Sequence, residues 1–325
     1  MAKIWVDLEL DPAVLALLAA AGEVIGPAGA GPAAPGAFAE LGSADAAVVS
    51  SRAAWDRARF VQAGRLQVVA RSGIGYDNVA VADATACGVC VVNTPDAPTV
   101  STAEFTVALM LALARKLCLA DRRFRAEGWV AQTELVGIEL DGKTLGLVGI
   151  GRIGTRVAKI ARALGLRVLA FDPGLTAETI GGRGAEPAAG LEALLREADI
   201  VSLHLPLTAQ TRGLIGEREF GLMKPGALLI NAARGPIVVA GALLAALQGG
   251  RLAGAALDVW DREPTGADNP LLRLDNVVVA PHIASASAEG RRRNQQAAAE
   301  GALGVLRGER PGGLVNPEVW DLRRR

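Results

Sequence analysis

The sequence predicts an α/β protein built from two doubly wound parallel sheets, and three observations carry that prediction. Its 325 residues suffice for two domains at roughly 100–200 residues each. Short apolar runs alternate with helix-like stretches in two series, one over the first 98 residues and one from about residue 143 onward. That alternation is what a parallel sheet covered by helices on both faces requires. Hydrophobic residues make up 51% and charged residues 21%, so a large core can form and disorder is excluded as the main state.

In the first series KIWVDL, AAVVSS, LQVVAR and VCVVNT read as strands, and PAVLALLAAAG, WDRARFVQAG and VADATACG as helices. GPAGAGPAAPGAF is a Gly/Pro/Ala loop with no group suited to chemistry. STAEFTVALMLALARKLCLADRRFRAEG carries apolar residues at helical spacing, with Ser101 or Thr102 and Glu104 as its N-terminal cap; one long helix is expected there, separating the two series. In the second series KTLGLVGIG, LRVLAFD, DIVSLHLP, ALLINAA, LAGAALDVW and NVVVAPHI read as strands. RIGTRVAKIARALG, LEALLREA, EREFGLM and GALLAALQGG read as helices, and SAEGRRRNQQAAAEGALGVLRG as a last helix whose Arg291–Arg293 run is a solvated face. No repeat of fixed 20–50-residue period is present.

Lys and Arg total 34, as do Asp and Glu, which excludes nucleic-acid binding by bulk charge. Asp7, Glu9 and Asp11 fall where a signal peptide needs an apolar run. The most apolar helical run, Phe105 to Ala114, stops at Arg115-Lys116, short of the ~20 residues that span a bilayer. A soluble cytoplasmic protein without membrane contact is expected, and three cysteines suit a reducing compartment. Cys87 and Cys90 form a CxxC, but a helix ends there and a strand begins, the reverse of a redox motif. With Cys118, His204 and His282 all distant in sequence, no metal site is expected and the pair reads as structural thiols.

Gly149-Ile150-Gly151-Arg152-Ile153-Gly154 follows the apolar strand TLGLV and opens an amphipathic helix. In that setting Gly149, Gly151 and Gly154 serve a tight turn, close approach to a pyrophosphate and close helix–strand packing, while the helix N-terminus offers free N–H groups to phosphate. Asp172, 18 residues past Gly154 at a strand end, is suited to accept from the ribose 2′-hydroxyl of NAD and to repel the 2′-phosphate of NADP. Arg234 ends ALLINAAR just before the Gly235-Pro236 turn. Open α/β sheets bind ligands at such strand ends, where a guanidinium can grip a carboxylate with two parallel hydrogen bonds. Asp258, Asp261 and Glu263 cluster in LDVWDREP. Of the two histidines, His204 lies in an apolar strand and reads as packed. His282, at a strand's carboxyl end downstream of the acidic cluster, is the acid/base candidate.

The glycine unit with Asp172, then HLPLTAQTRGLI, NAARG, LDVWDREP and PHIASAS, preceded by RSGIGYDNVAV and NTPDAPTVSTAEFTVALML and followed by LVNPEV, resembles the NAD-dependent D-isomer-specific 2-hydroxyacid dehydrogenases over about residues 45–317. That group includes phosphoglycerate dehydrogenase, glyoxylate and hydroxypyruvate reductases and D-lactate dehydrogenase. The resemblance implies two Rossmann-like domains with a cleft between them. Residues 1–98 and 287–325 would form the substrate domain and 99–286 the NAD-binding domain, through which the chain would pair as a homodimer. It implies Arg234, Glu263 and His282 as the catalytic set, and a carboxylate-binding loop of Ser72, Gly73, Ile74 and Gly75 acting with Arg234. Cofactor contacts are implied for Arg152, Ile153, Asp172, Pro206, Thr211, Ala232, Arg234, Asp258 and His282, with Ile74 and Thr102 contributing. Phe105 stands where some members carry His, and Glu263 where the formate-oxidising members carry Gln.

The reaction so implied is reversible hydride transfer between nicotinamide C4 and C2 of a D-2-hydroxy acid. In reduction, protonated His282 donates to the carbonyl oxygen, Glu263 stabilises the imidazolium and Arg234 holds the carboxylate. Choice among 2-keto acids falls to the loops around Ser50-Ser51-Arg52 and Arg71–Tyr76. An alternative on the same fold is an NAD-sensing, corepressor-like binding protein.

Overall fold

The computed structural model describes residues 1–27, 31–33 and 36–324; residues 28–30 and 34–35, within the Gly/Pro/Ala loop, lie outside them. The chain divides into two compact units, Met1–Pro98 with Ala286–Arg325, and Thr99–Ser285.

The first unit opens with β1 (Ala2–Val6), α1 (Pro12–Ala21), β2 (Gly22–Ile25), β3 (Ala46–Val49), α2 (Arg57–Gln62), β4 (Val68–Arg71), α3 (Val81–Ala86) and β5 (Cys90–Val92). Its five strands pair in parallel in the order β2-β1-β3-β4-β5. β3 and β5 are buried along their whole length, which is why AAVV and CVV show no polar alternation. Asp11 and Asp56 cap α1 and α2, accepting from the N–H groups of Ala13 and Arg59. One core cluster of this unit gathers Trp5, Trp55 and Phe60, with the two indoles meeting edge-on at 5.7 Å. β2 falls where the sequence shows no strand pattern. It pairs on the sheet edge only because Gly22 has no Cβ to collide with the Ala2 carbonyl.

The second unit contains α4 (Thr99–Ala114), α5 (Leu117–Glu127), β6 (Thr144–Val148), α6 (Arg152–Ala163), β7 (Arg167–Phe171), α7 (Ala177–Gly182), β8 (Glu186–Pro187), α8 (Leu191–Glu197), β9 (Ile200–Leu203), α9 (Glu217–Leu222), β10 (Ala227–Asn231), α10 (Ala240–Gln248), β11 (Leu252–Leu257) and β12 (Val277–Val279). These strands form one parallel sheet ordered β12-β11-β10-β9-β6-β7-β8. Two core clusters serve this unit, one including α4 and α6 residues and one α8, α9 and α10 residues. The strand order reverses between β6 and β9, so the carboxyl ends of these neighbours mark the crevice where such sheets bind ligands. The chain then returns to the first unit as α11 (Ala288–Leu306), whose Ala298, Ala299 and Ala302 share a core cluster with Val48, Val68 and Ala70.

The single long helix expected over STAEFTVAL…RAEG is two helices, α4 and α5. Lys116, at φ 52°, takes the left-handed conformation between them. The Ala114 carbonyl accepts from the Ile138 N–H, so a returning strand of chain takes the place of the next helical turn; glycine at 137 allows that close approach. α5 accordingly buries no residue, whereas α4 buries nine. α4 also begins at Thr99, so Ser101 and Thr102 lie inside its first turn and do not cap it.

Among the described residues, no helix is long and apolar enough to cross a membrane, and no group of three or more His, Cys, Asp or Glu side chains could hold a metal ion. Cys87 is half-buried and Cys118 exposed; Cys90 is buried, and burial pushes its thiol up to about 11 despite the nearby Arg323 charge.

Candidate active site

The glycine loop follows β6, whose five residues are all buried. Gly149 adopts φ 96°, and a Cβ there would lie 2.8 Å from the His204 backbone carbon. A Cβ on Gly154 would lie 2.6 Å from the Gly149 carbonyl oxygen, so helix and loop touch only because both residues are glycine. Gly151 faces open space and precedes the first turn of α6, where Arg152 and Ile153 present their backbone. α6 packs inward through Gly154, Val157, Ala158 and Ala161. Asp172, just past β7, folds back on this loop: Oδ2 accepts from the Ile150 N–H at 3.0 Å and Oδ1 from the Gly174 N–H at 3.0 Å. A tight glycine turn, a free helix N-terminus and a carboxylate at the end of the second strand fit a dinucleotide.

Arg183 joins this loop without any signal in the sequence, its guanidinium donating to the Ile150 carbonyl at 2.6 Å. Thr211 is buried, and its hydroxyl donates to the Pro206 carbonyl at 2.6 Å while accepting from the Thr208 N–H, which fixes the loop after β9. Ala232 packs against the α4 and α6 core, and Thr102 is buried within α4, its carbonyl accepting from the Thr106 hydroxyl. Ser72, Gly73, Ile74 and Gly75 belong to the first unit. They leave the end of β4 with the Ser72 N–H on the Val49 carbonyl, and the Gly73 and Ile74 carbonyls accepting from Thr94 and Asn93.

Three loops of the second unit bring Arg234, Glu263 and His282 together. Arg234 follows β10, and the Asn231 side chain grips its turn from both sides, donating to the Arg234 carbonyl and accepting from the Ala233 N–H. Gly235 packs so closely on the Trp260-Asp261 peptide that any Cβ would collide with it. Glu263 Oε1 accepts from the Trp260 N–H at 3.0 Å, and Oε2 lies 2.6 Å from His282 Nδ1. Burial would push the Glu263 carboxyl up, but the bonds to His282 and Trp260, with the charges of His282 and Arg234, hold it below the usual carboxylate range.

Beneath this pair lies Asp258, fully buried at the end of β11. Its carboxylate accepts from the N–H groups of Ile283 and Ala284 at 2.8 and 2.9 Å, and its carbonyl from that of His282 at 2.7 Å. These three bonds hold His282 at φ 56°, a region non-glycine residues seldom enter. Burial pushes the Asp258 carboxyl up, tempered by the two N–H groups. Asp261 is exposed. His204 is half-buried just beyond β9 with Ser202 Oγ at 2.9 Å from Nε2, and desolvation pushes it down to about 4.

Residues 107–284 match the model of the D-isomer specific 2-hydroxyacid dehydrogenase, NAD binding domain. The chain is 48% identical over 268 residues to the glyoxylate reductase of Aeropyrum pernix, covering 81% of this chain and 80% of that enzyme. It is 42% identical over 269 residues to the D-3-phosphoglycerate dehydrogenase of Archaeoglobus fulgidus, covering 83% of this chain and 51% of that one. Among solved structures, D-lactate dehydrogenase from Aquifex aeolicus complexed with NAD and lactic acid superposes with a TM-score of 0.83 at 27% identity, over 94% of this chain and 96% of that one.

Proposed function

Because the chain belongs to the D-isomer specific 2-hydroxyacid dehydrogenase family and is an NAD-dependent enzyme of that class, we propose that Arg234, Glu263 and His282 carry its chemistry on a small D-2-hydroxy acid or the matching 2-keto acid. The observation that supports this most is the 2.6 Å contact between His282 Nδ1 and Glu263, on a carboxylate that also feels the Arg234 charge. NAD, when bound along the glycine loop, supplies or accepts the hydride. In reduction His282 donates a proton from Nε2 to the carbonyl oxygen, and Glu263 stabilises the imidazolium and fixes which nitrogen faces substrate. Arg234 holds the substrate carboxylate and polarises the carbonyl. Asp258 keeps His282 in position through the 282–284 backbone.

In the same reading the unit 99–285 binds NAD, with Asp172 favouring it over NADP, and the unit of residues 1–98 and 286–325 takes the substrate carboxylate on the Ser72–Gly75 backbone. The chain pairs as a cytoplasmic homodimer through the NAD-binding unit. Support comes from an apolar groove of about 610 Å³ lined by Leu113, Leu119, Val136 and Ile138, and from Trp129, which is 85% exposed. Initial rates with NADH and glyoxylate, hydroxypyruvate, pyruvate or phosphohydroxypyruvate test the reading. Turnover of at least one is expected, and turnover of none would refute it.

A further inference from the structure

We propose that the first unit carries a separate binding site for a small oxyanion, phosphate or carboxylate, in a cavity between Arg52 and Arg59. The cavity measures about 230 Å³, and its other described lining residues are Gly31, Pro32, Ala33, Ala54 and Ala53. None of these is acidic, and the nearby acid, Asp7, feels the Arg52 charge from behind the Ser50 loop.

Arg59 supplies the main argument. Its Nη1 is buried and has no hydrogen-bond partner. Buried donors without acceptors are rare in folded proteins, and a guanidinium N–H is among the costliest to leave unpaired. The guanidinium lies over the Phe38 ring, its carbon 4.1 Å from the centroid. Stacking of that kind occupies the face of the guanidinium and leaves its in-plane N–H groups for an acceptor. Asp56, the nearest acidic residue in sequence, spends Oδ1 on the Arg59 backbone N–H.

The backbone at Arg52 is held by a hydrogen-bonded loop. Asp7, fully buried at the end of β1, accepts from the Ser50 N–H at 2.6 Å and from the Ser50 hydroxyl at 3.1 Å. The Ser50 hydroxyl in turn accepts from the Arg52 N–H, and the Asn78 side chain donates to the Ala53 carbonyl at 2.7 Å. Arg52 Nη1 lies 3.4 Å from where a Cβ on Gly31 would stand, and Gly31 has φ 73°, so a glycine keeps that wall of the cavity low. Two guanidinium groups lining one small space offer the donors an oxyanion needs.

The occupant is a free anion rather than the far end of the substrate, and one experiment separates the two. Calorimetric titration of the whole chain with inorganic phosphate, at ionic strength held constant with chloride, should show saturable binding. Arg59→Gln and Arg52→Gln should each weaken it roughly tenfold or more, while NADH affinity stays unchanged as a check on folding. Competition of phosphate with neither phosphohydroxypyruvate nor glyoxylate supports a separate free-anion site; competition with phosphohydroxypyruvate but not with glyoxylate would show a substrate subsite instead and overturn the separate site. Absence of saturable binding over chloride, or equal affinity in wild type and both variants, overturns the proposal. Glyoxylate turnover reads the catalytic assignment independently, so the two can fail separately.

Discussion

The two histidines of the chain stand just beyond parallel strands of one sheet, and their surroundings differ in every respect that governs an imidazole. His204 follows β9, is half-buried and has the Ser202 hydroxyl 2.9 Å from its ring; desolvation pushes it down to about 4, so it is neutral at pH 7. His282 lies three residues past β12, its side chain is 37% exposed, and a carboxylate meets it at 2.6 Å. A strand end therefore selects where ligands gather, but a charged partner and access to substrate are what make an acid/base group. His204 also borders the glycine loop, its backbone forming the wall against which Gly149 packs.

The largest effect should separate the two directly. His282→Gln should lower kcat by ~10²–10⁴-fold with NADH affinity retained, while His204→Gln, once folded, should keep most of its turnover. Stopped-flow or steady-state assays on both variants decide it, and the reverse pattern breaks the comparison. Next comes a pH test on stability. Unfolded His204 titrates near 6.5 and folded His204 near 4. Between those values the unfolded chain binds a proton that the folded chain refuses, so stability falls as pH drops through that window. The loss is on the order of 3 kcal/mol, with nothing further from this group at lower pH. Urea unfolding at pH 7 and pH 5 should show the slope in wild type and its absence in His204→Gln.

Arg234→Ala should reduce kcat/KM by roughly 10–150-fold, the equivalent of losing a charge-assisted hydrogen bond of ~1.5–3 kcal/mol; unchanged kcat/KM would remove Arg234 from the site. The smallest effect is the most specific. A carboxylate beside an imidazole favours its protonated form. Glu263→Gln should therefore move the alkaline limb of the reduction profile, and the acid limb of the oxidation profile, to lower pH. Limbs that stay in place would show that Glu263 does not act through His282.

Much of the fold was legible because parallel strands buried on both faces leave unbroken apolar runs such as AAVV, TLGLV and ALLIN, and because the glycine loop has a sequence pattern of its own. What escaped was set by tertiary contact. The break at Lys116 depends on Ile138 reaching the Ala114 carbonyl, a pairing no local propensity reveals. β2 and β8 are edge strands of four and two residues, too short to show a period. At the site, 19 residues separate Glu263 from His282, and no spacing rule joins them. Only resemblance to a family singled Glu263 out from Asp258 and Asp261 in the sequence. The resemblance implies Asp258 as a cofactor contact, and no spacing shows that it is also the buried clamp holding the His282 backbone. Arg183 left no trace because it reaches the glycine loop through its side chain alone, from the end of α7.

α11 has one further consequence. The first unit is assembled from both ends of the chain, and Ala298, Ala299 and Ala302 complete a core begun by Ile4 and Val6 nearly three hundred residues earlier. The second unit is one uninterrupted stretch, Thr99–Ser285. During synthesis at roughly 5–20 residues per second, that middle stretch can bury its apolar surface as soon as it emerges. The first sheet must wait, with a face exposed to any holdase, until α11 emerges. The sheet made before the second unit is therefore completed only after it.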